Sequence, residues 1–230
     1  MNKQLIDVSH TVEDGMITYN GLPAPVVCDF LSREASREIY KGAAEFHIGK
    51  IEMVANTGTY VDAPFHRFAD GKDLSELPLD SLADLEVVVV KHNHRVGTMI
   101  DAVVFQNLDL RGRAVLVQTG WDEHWRTETY FENHPYLTEA AARYLVEAGA
   151  KLVGIDSHNI DDTGNPARPA HTVLLGAEIP IVEHLCNLRS IPVAPARFFA
   201  VPVKVKNFGT FPVRAFCTVE NEKSESATGE

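Results

Sequence analysis

The sequence has little cysteine and no long hydrophobic run. Its 3 cysteines, Cys28, Cys186 and Cys217, lie far apart and show none of the paired spacings of a disulfide framework or a thiolate zinc site. We therefore expect free thiols in the core. No stretch approaches the ~18–20 consecutive apolar residues of a membrane-spanning helix, so the sequence predicts no membrane partner.

Positive charge is also scarce. The chain has 21 lysine and arginine residues against 32 aspartate and glutamate residues, which gives a formal net charge of −11. Because nucleic-acid binding depends on a basic surface that releases counterions, this composition argues against a nucleic-acid partner. The acidic residues are spread along the chain, as is typical of a solubilising surface.

The rest of the composition is that of an ordinary globular domain, with 45% apolar and 23% charged residues in a chain of 230. No repeat or linker divides it, so we predict one domain at residues 1–220. Residues 221–230 are polar and charged, and they are predicted to form a disordered tail. A predicted strand begins at Leu5, which leaves no room for a signal peptide and favours a cytoplasmic protein.

Apolar runs rich in β-branched residues predict the strands, and one amphipathic segment predicts a helix. The helix begins after Thr138, a residue type that caps helix N-termini, and ends at Gly149. The order strand, helix, strand around it is typical of a parallel crossover, so we predict an α/β fold with a mixed sheet. The predicted strands are 5–8, 25–30, 46–54, 87–90, 114–117, 152–155, 198–205 and 213–219.

The segment NTGTYVDAPFH at residues 56–66 concentrates polar chemistry directly after a predicted strand. Loops at strand ends often hold active sites. Asp62 and His66 are four residues apart, and Gly58 and Pro64 would bend the backbone between and around them. The two polar side chains are therefore expected to converge.

A second segment places His171 before one apolar run and Glu183 inside another. Histidine, aspartate and glutamate are ligands of zinc or manganese in sites that keep a position open for water. From spacing alone, structural roles are the preferred explanation of Asp62 and Glu183. Asp62 would then accept hydrogen bonds in a turn, and Glu183 would pair with Arg168 or Arg197.

Residues 56–66 resemble the signature of the cyclase family, a family of metal-dependent hydrolases that includes bacterial kynurenine formamidases and is related to isatin hydrolase. The signature reads His, any residue, Gly, Thr or Ala, His, any residue, Asp, any residue, Pro, any residue, His. The resemblance extends from about residue 5 to about residue 219, and its ordered motifs are fairly specific. The matching positions are Gly58, Thr59, Asp62, Pro64 and His66; Gly154, Ile155 and Asp156; His171 and Glu183, twelve positions apart; and the first-loop residues Tyr19, Asn20 and Gly21.

The resemblance implies the swivelling β/β/α fold of this family and a homo-oligomer, either a dimer or a tetramer. It also implies hydrolysis of a small amide, formamide, or cyclic amide or ester by activated water. Residue roles follow from the matched positions. The implied roles are metal ligand for Asp62, His171 and Glu183, catalytic residue for His66 as proton shuttle and for Glu183, and substrate binding for Tyr19, Asn56 and Tyr60.

The chain departs from the family signature at its first two histidines, which are replaced by Asn56 and Tyr60. In family members with two metals, those histidines bind one of the two ions. We therefore expect at most one divalent ion, zinc or manganese. Two alternatives stay open: a metal-free lyase, isomerase or cyclase that uses His66 and Glu183, and a non-catalytic protein that binds a small metabolite.

Two further groups of residues have competing interpretations. Trp121 and Trp125 could clamp a flat substrate, but packing of a loop on its neighbour is favoured. His92 and His94 alternate as residues at a strand end do, which would place both within reach of a metal. An exposed strand terminus is the favoured interpretation of this pair.

Overall fold

The structure is a computed structural model that describes residues 2–221. Of the predicted disordered tail, residues 222–230 lie outside the described residues. Three α-helices and thirteen strands form within the described part. The helices are α1 (Arg33–Ile39), α2 (Glu139–Ala148) and α3 (Pro169–Gly176). The strands are β1 (Asn2–Asp7), β2 (Val26–Leu31), β3 (Ile48–Glu52), β4 (Tyr60–Asp62), β5 (Leu85–Lys91), β6 (Met99–Ile100), β7 (Ala114–Gln118), β8 (Tyr136–Leu137), β9 (Leu152–Ile155), β10 (Ile181–Glu183), β11 (Ala196–Phe199), β12 (Thr210–Pro212) and β13 (Phe216–Asn221).

A nine-stranded mixed sheet is the framework of the fold, with the order β1-β13-β11-β5-β7-β9-β10-β4-β12. Its centre is parallel, because β5, β7, β9 and β10 pair in the same direction. Antiparallel strands complete both sides. This arrangement confirms the predicted α/β fold with a mixed sheet in a single domain.

The central strand β7 is buried on both faces, as its continuous apolar run predicts. Leu116 packs into a core that β1, β11 and β13 also line, whereas Val115 and Val117 face a second core on the opposite side of the sheet. Successive side chains of a strand point to opposite faces. The run from residue 114 to 117 therefore supplies both cores at once.

Helix α2 covers the second core and joins the parallel strands β7 and β9. The Oγ1 of Thr138 accepts the Ala141 amide at 3.1 Å, and Gly149 ends the helix with a φ of 78°. Ala141, Ala142 and Leu145 are buried against the sheet. The predicted helix is thus confirmed at both ends. Among the described residues, no helix has the length and apolar character needed to cross a membrane.

Other sequence predictions need correction. The strand predicted at 198–205 ends at Phe199, and Pro202 within that range has no amide to donate to a ladder. The strand predicted at 213–219 begins only at Phe216. Cys28 is exposed, so the prediction of core thiols is wrong for it, whereas Cys217 is buried; all three cysteines are free.

Residues 26–52 form an arm that consists of β2, α1 and β3. Strands β2 and β3 pair only with each other among the described residues, in a two-stranded sheet apart from the main one. The arm leaves several large apolar side chains exposed, among them Phe30 at 76% and Ile39 at 64%. The other exposed apolar side chains of the arm are Val26, Val27, Tyr40, Phe46, Ile48 and Ile51. A concentration of exposed apolar side chains of this kind indicates an interaction site.

Candidate active site

The site lies where the short strands β4 and β10 pair antiparallel. Asp62 and Glu183 are the last residues of these two strands, and Tyr60 lies directly opposite Glu183 in the register. His66 follows Asp62 on a 3₁₀ turn, and His171 lies on α3. The structure therefore brings together residues that the sequence separates by more than a hundred positions.

Two glycines allow the backbone around the loop to pack closely. Gly58 has a φ of 66°, and a Cβ on it would lie 2.9 Å from the Cγ2 of Val12. A Cβ on Gly209 would lie 2.5 Å from the backbone nitrogen of His66. Only glycine at position 209 lets the segment before β12 lie this close to the backbone of His66. This close contact sets the position of His66. The sequence motif included Gly58 but gave no indication of Gly209.

A hydrogen-bond chain fixes the orientation of His66. The Thr210 hydroxyl donates to Oδ1 of the buried Asp62, and the same hydroxyl oxygen lies 2.8 Å from Nδ1 of His66. Since Thr210 has only one proton and gives it to Asp62, Nδ1 of His66 must be the donor in the second bond. This tautomer leaves Nε2 of His66 with a free lone pair, as a general base requires.

A second carboxylate orients His171. Oδ2 of Asp161 accepts from Nδ1 of His171 at 2.7 Å and from its backbone amide at 3.0 Å, while Oδ1 accepts the Ala170 amide at 2.6 Å. Asp161 thus caps the first turn of α3 and directs Nε2 of His171 into the site. That nitrogen lies 3.7 Å from Oδ2 of Asp62 and 3.7 Å from Oε1 of Glu183. A carboxylate behind a histidine is the usual support of a metal ligand.

Glu183 is fully buried and held from two sides. Its Oε1 accepts the Ile160 amide at 2.6 Å, and its Oε2 accepts the Tyr60 hydroxyl at 2.6 Å. Burial raises the pKa of Tyr60 well above its usual value, and the carboxylates of Glu183 and Asp62 raise it further. Tyr60 therefore remains a neutral phenol that donates a hydrogen bond. Asn56 lies beside it and acts in the opposite direction, lowering this pKa.

The charges around His171 favour a cation. Burial raises the pKa of Glu183 to about 7, although the positive charge of His171 acts against this rise. Burial alone would lower the pKa of His171, but Glu183, Asp161 and Asp62 outweigh it and raise this pKa to about 10. One imidazole thus faces three carboxylates in a buried space, and such an excess of negative charge suits a metal ion.

The donor atoms fit one divalent ion. Oδ2 of Asp62 is buried and has no hydrogen-bond partner among the described residues. Ligand atoms of Asp62, His66 and His171 lie within 4.8 Å of one another. Glu183 falls outside this group, although its Oε1 is near His171. The His66 nitrogen nearest Asp62 is Nδ1, at 3.8 Å, and this atom carries the proton given to Thr210. Nδ1 of His66 is thus occupied by its proton, and Nε2 keeps the lone pair that can serve either as a base or as a ligand.

A cavity of about 320 Å³ opens onto these groups. Every predicted catalytic and substrate-binding residue lines it. Arg67, Asn159 and Arg168 line it too, although the sequence analysis did not assign them to the site. Nη2 of Arg168 donates to the Tyr19 hydroxyl at 3.3 Å. The cavity is lined by Tyr19, Leu22, Asn56, Tyr60, His66, Arg67, Asn159, Arg168, His171 and Glu183.

The two tryptophans pack behind the site and do not line this cavity. Trp121 is 7% exposed and donates its indole N–H to the Tyr130 carbonyl at 3.0 Å. Trp125 stacks on His10 with ring centroids 3.8 Å apart. These contacts support the interpretation of both tryptophans as packing residues.

Comparison with known sequences extends over most of the chain. The family model described as "Putative cyclase" matches residues 6–162. A kynurenine formamidase from Geobacillus thermodenitrificans is 33% identical over 172 residues, which covers 74% of this chain and 78% of that protein.

Comparison with solved structures gives the same fold. A structure described as a potential metal-dependent hydrolase with cyclase activity has a TM-score of 0.78 at 24% identity, and covers 96% of this chain and 100% of its own. Isatin hydrolase A from Labrenzia aggregata has a TM-score of 0.81 at 22% identity, with 95% and 94% covered. At these identities the similarity concerns the fold.

Proposed function

The chain belongs to the cyclase family, and we propose that it hydrolyses a small amide, formamide, or cyclic amide or ester. One observation carries this proposal: His66, oriented as a base, faces a cavity that also contains His171 and Glu183. The relatives named above include a formamidase and a hydrolase of isatin. Following the sequence, we propose that the activity belongs to one domain at residues 1–220.

One divalent ion, zinc or manganese, is proposed to be held by Asp62, His171 and Glu183. Asp62 offers its unpartnered Oδ2, and His171 offers Nε2. Oε1 of Glu183 receives one amide hydrogen bond and keeps a second lone pair. When bound, such an ion lowers the pKa of its water and polarises the substrate carbonyl.

The proton chemistry belongs to His66. Its Nε2 takes the proton of the attacking water, and the chain through Thr210 to Asp62 stabilises the imidazolium that results. The same nitrogen then returns the proton to the leaving nitrogen or oxygen. Tyr60 and Asn56 line the cavity beside the carbonyl, and the phenol keeps Glu183 in place.

The cavity is proposed to take a substrate with an anionic group. Arg67 and Arg168 both line it. Arg67 bonds to the Thr172 hydroxyl and the Ala167 carbonyl, and Arg168 to neutral oxygens that include the Tyr19 hydroxyl. Within residues 2–221 none of the oxygens that these guanidiniums contact belongs to a carboxylate, so both charges are available to a substrate carboxylate.

The test is a panel of aryl formamides, cyclic amides and esters, each compared with and without a carboxylate, in oxygen-18 water. We expect turnover of at least one formamide or cyclic amide, label in the released acid, and a lower KM for the anionic partner of each pair. Replacing Arg168 with Met should reduce that preference, and replacing Arg67 with Met as well should remove it. Turnover without label would favour the metal-free lyase or isomerase, and binding without turnover would favour the non-catalytic protein.

A homo-oligomer, dimer or tetramer, is proposed on the basis of the arm at residues 26–52. Phe30 and Ile51 are 76% and 57% exposed there, and a second copy would bury such a surface. Light scattering should give a mass of two or four chains, and Phe30→Asp with Ile51→Asp should reduce it. A monomeric wild type would contradict this proposal. The free thiols agree with the proposed cytoplasmic location.

A further inference from the structure

A second group of metal-ligating side chains lies away from the active-site cavity. Nε2 of His94 is 3.4 Å from Oε1 of Glu123, and Nε2 of His124 is 3.6 Å from the same oxygen. One ligand atom from each residue lies within 4.8 Å of the others. His94 follows strand β5, and Glu123 and His124 follow strand β7. These two strands are parallel and adjacent, so the residues after them meet at the same edge of the sheet.

Two of the three spacings within this group are those of a tetrahedral site. An ion about 2.0–2.2 Å from each ligand sets neighbouring tetrahedral ligand atoms about 3.4 Å apart. The distances from Oε1 of Glu123 to Nε2 of His94 and to Nε2 of His124, 3.4 and 3.6 Å, are close to this value. Two imidazoles and one carboxylate from the chain leave a fourth position for water.

His94 is prepared for ligation by its surroundings. Its Nδ1 lies 3.1 Å from the Thr119 carbonyl oxygen, which can only accept, so the Nδ1 proton is donated and Nε2 keeps its lone pair. Thr119 is itself fixed, because its amide and hydroxyl both donate to Oδ1 of Asp156 at 2.6 Å. The His94 side chain is 12% exposed and packs edge-on against Trp121, with ring centroids 5.2 Å apart.

From these contacts we propose that His94, Glu123 and His124 form a second metal site, which takes zinc or a similar borderline transition metal. Magnesium and calcium prefer oxygen ligands and fit two imidazoles poorly. An ion here would join the loop after β5 to the turn after β7 and stabilise both. It would add to the ion expected in the cavity and take no part in its chemistry.

The competing explanation is an ordinary surface ion pair. Nη2 of Arg95 lies 3.6 Å from Oε1 of Glu123, but the Arg95 side chain is 74% exposed and free to move away when a metal binds. His92, at the same strand end, instead contacts the Gly97 carbonyl at 2.9 Å and belongs to no metal-ligating group among residues 2–221. His92 therefore provides a matched control for the histidines of the proposed site.

The test is a zinc titration of the full chain after removal of metal with a chelator. The side chain of His124 is 29% exposed. The His124→Ala variant should bind one equivalent of zinc fewer than wild type, or bind it ~10–100-fold more weakly. Glu123→Gln should have the same effect. Zinc should also raise the Tm of a His171→Ala variant, in which the cavity ligand is missing, and the further His124→Ala change should abolish that rise.

Three results would overturn the proposal. The first is equal zinc stoichiometry and affinity in wild type, His124→Ala and Glu123→Gln. The second is a loss of zinc in His92→Ala as large as that in His124→Ala, which would indicate non-specific binding to surface histidines. The third is an equal effect of magnesium. Melting curves in chelator establish that each variant folds, and none of these results depends on the proposed hydrolysis.

Discussion

His66→Asn is expected to fold as the wild type does and to lose about 10²–10⁴-fold in kcat/KM. The amide can still contact Thr210, whose hydroxyl holds the imidazole in the wild type. It cannot take a proton from water, so the variant keeps the cavity and loses the base. Steady-state rates on the best substrate of the panel, with melting curves alongside, measure both parts of this prediction.

Controls separate loss of the base from loss of its orientation. Thr210→Val should lower kcat and alter the pH profile because Nδ1 of His66 loses its acceptor, and Thr210→Ser should restore both. His92→Asn is a matched histidine replacement outside the cavity and should have the rate of wild type. A folded His66→Asn protein that keeps more than about a tenth of the wild-type rate would show that His66 is not the proton shuttle.

The double replacement Asn56→His with Tyr60→His is expected to raise the zinc affinity of the cavity and to add an ion there. Both changes restore histidines of the family signature, and imidazole nitrogen suits zinc or manganese. In the present chain the Tyr60 hydroxyl donates a hydrogen bond to Oε2 of Glu183. The shorter imidazole would remove this donor and leave Oε2 only its 3.4 Å contact with Nδ2 of Asn159, while Oδ2 of Asp62 already has no partner among the described residues. Calorimetric titration against wild type measures the gain.

Tyr60→Phe is the control for this experiment, since it removes the phenol without adding a ligand. It should not gain zinc, and it should unfold more easily, because Glu183 loses its 2.6 Å donor in a buried position. Equal zinc stoichiometry and affinity in wild type and the double variant would show that the loop lacks the family's geometry. Higher affinity with lower activity would instead show that Asn56 and Tyr60 serve a different chemistry.

The sequence predicted the elements that carry a strong local signal. Helix α2 has an apolar stripe, a threonine cap and a terminal glycine, and all three are local features. The central strands β7 and β9 are continuous apolar runs, so burial on both faces follows from composition. Strands β4 and β10 have only three residues each, and their pairing depends on partners distant in the chain. No local pattern marks such strands.

For the site, the sequence indicated the residues of a motif but not those that orient them. Asp161 and Thr210 belong to residue types that are common on any surface. Their roles arise only because the loop before α3 folds back onto the first turn of that helix and because β12 pairs with β4. Arg67 lies next to His66 in the chain, but it is not one of the positions of the family motif. His94 was weighed with His92, its neighbour in sequence, whereas the structure pairs it with Glu123 and His124 from another loop.

Anomalous X-ray scattering at the zinc and manganese edges tests the central claim most directly, with crystals of active protein purified without chelator. The account predicts one anomalous peak in the cavity, within bonding distance of Oδ2 of Asp62 and Nε2 of His171, the atoms now 3.7 Å apart. A cavity without such a peak in a preparation that hydrolyses its substrate would contradict this account. Two peaks there would show that Asn56 and Tyr60 do not remove the first ion.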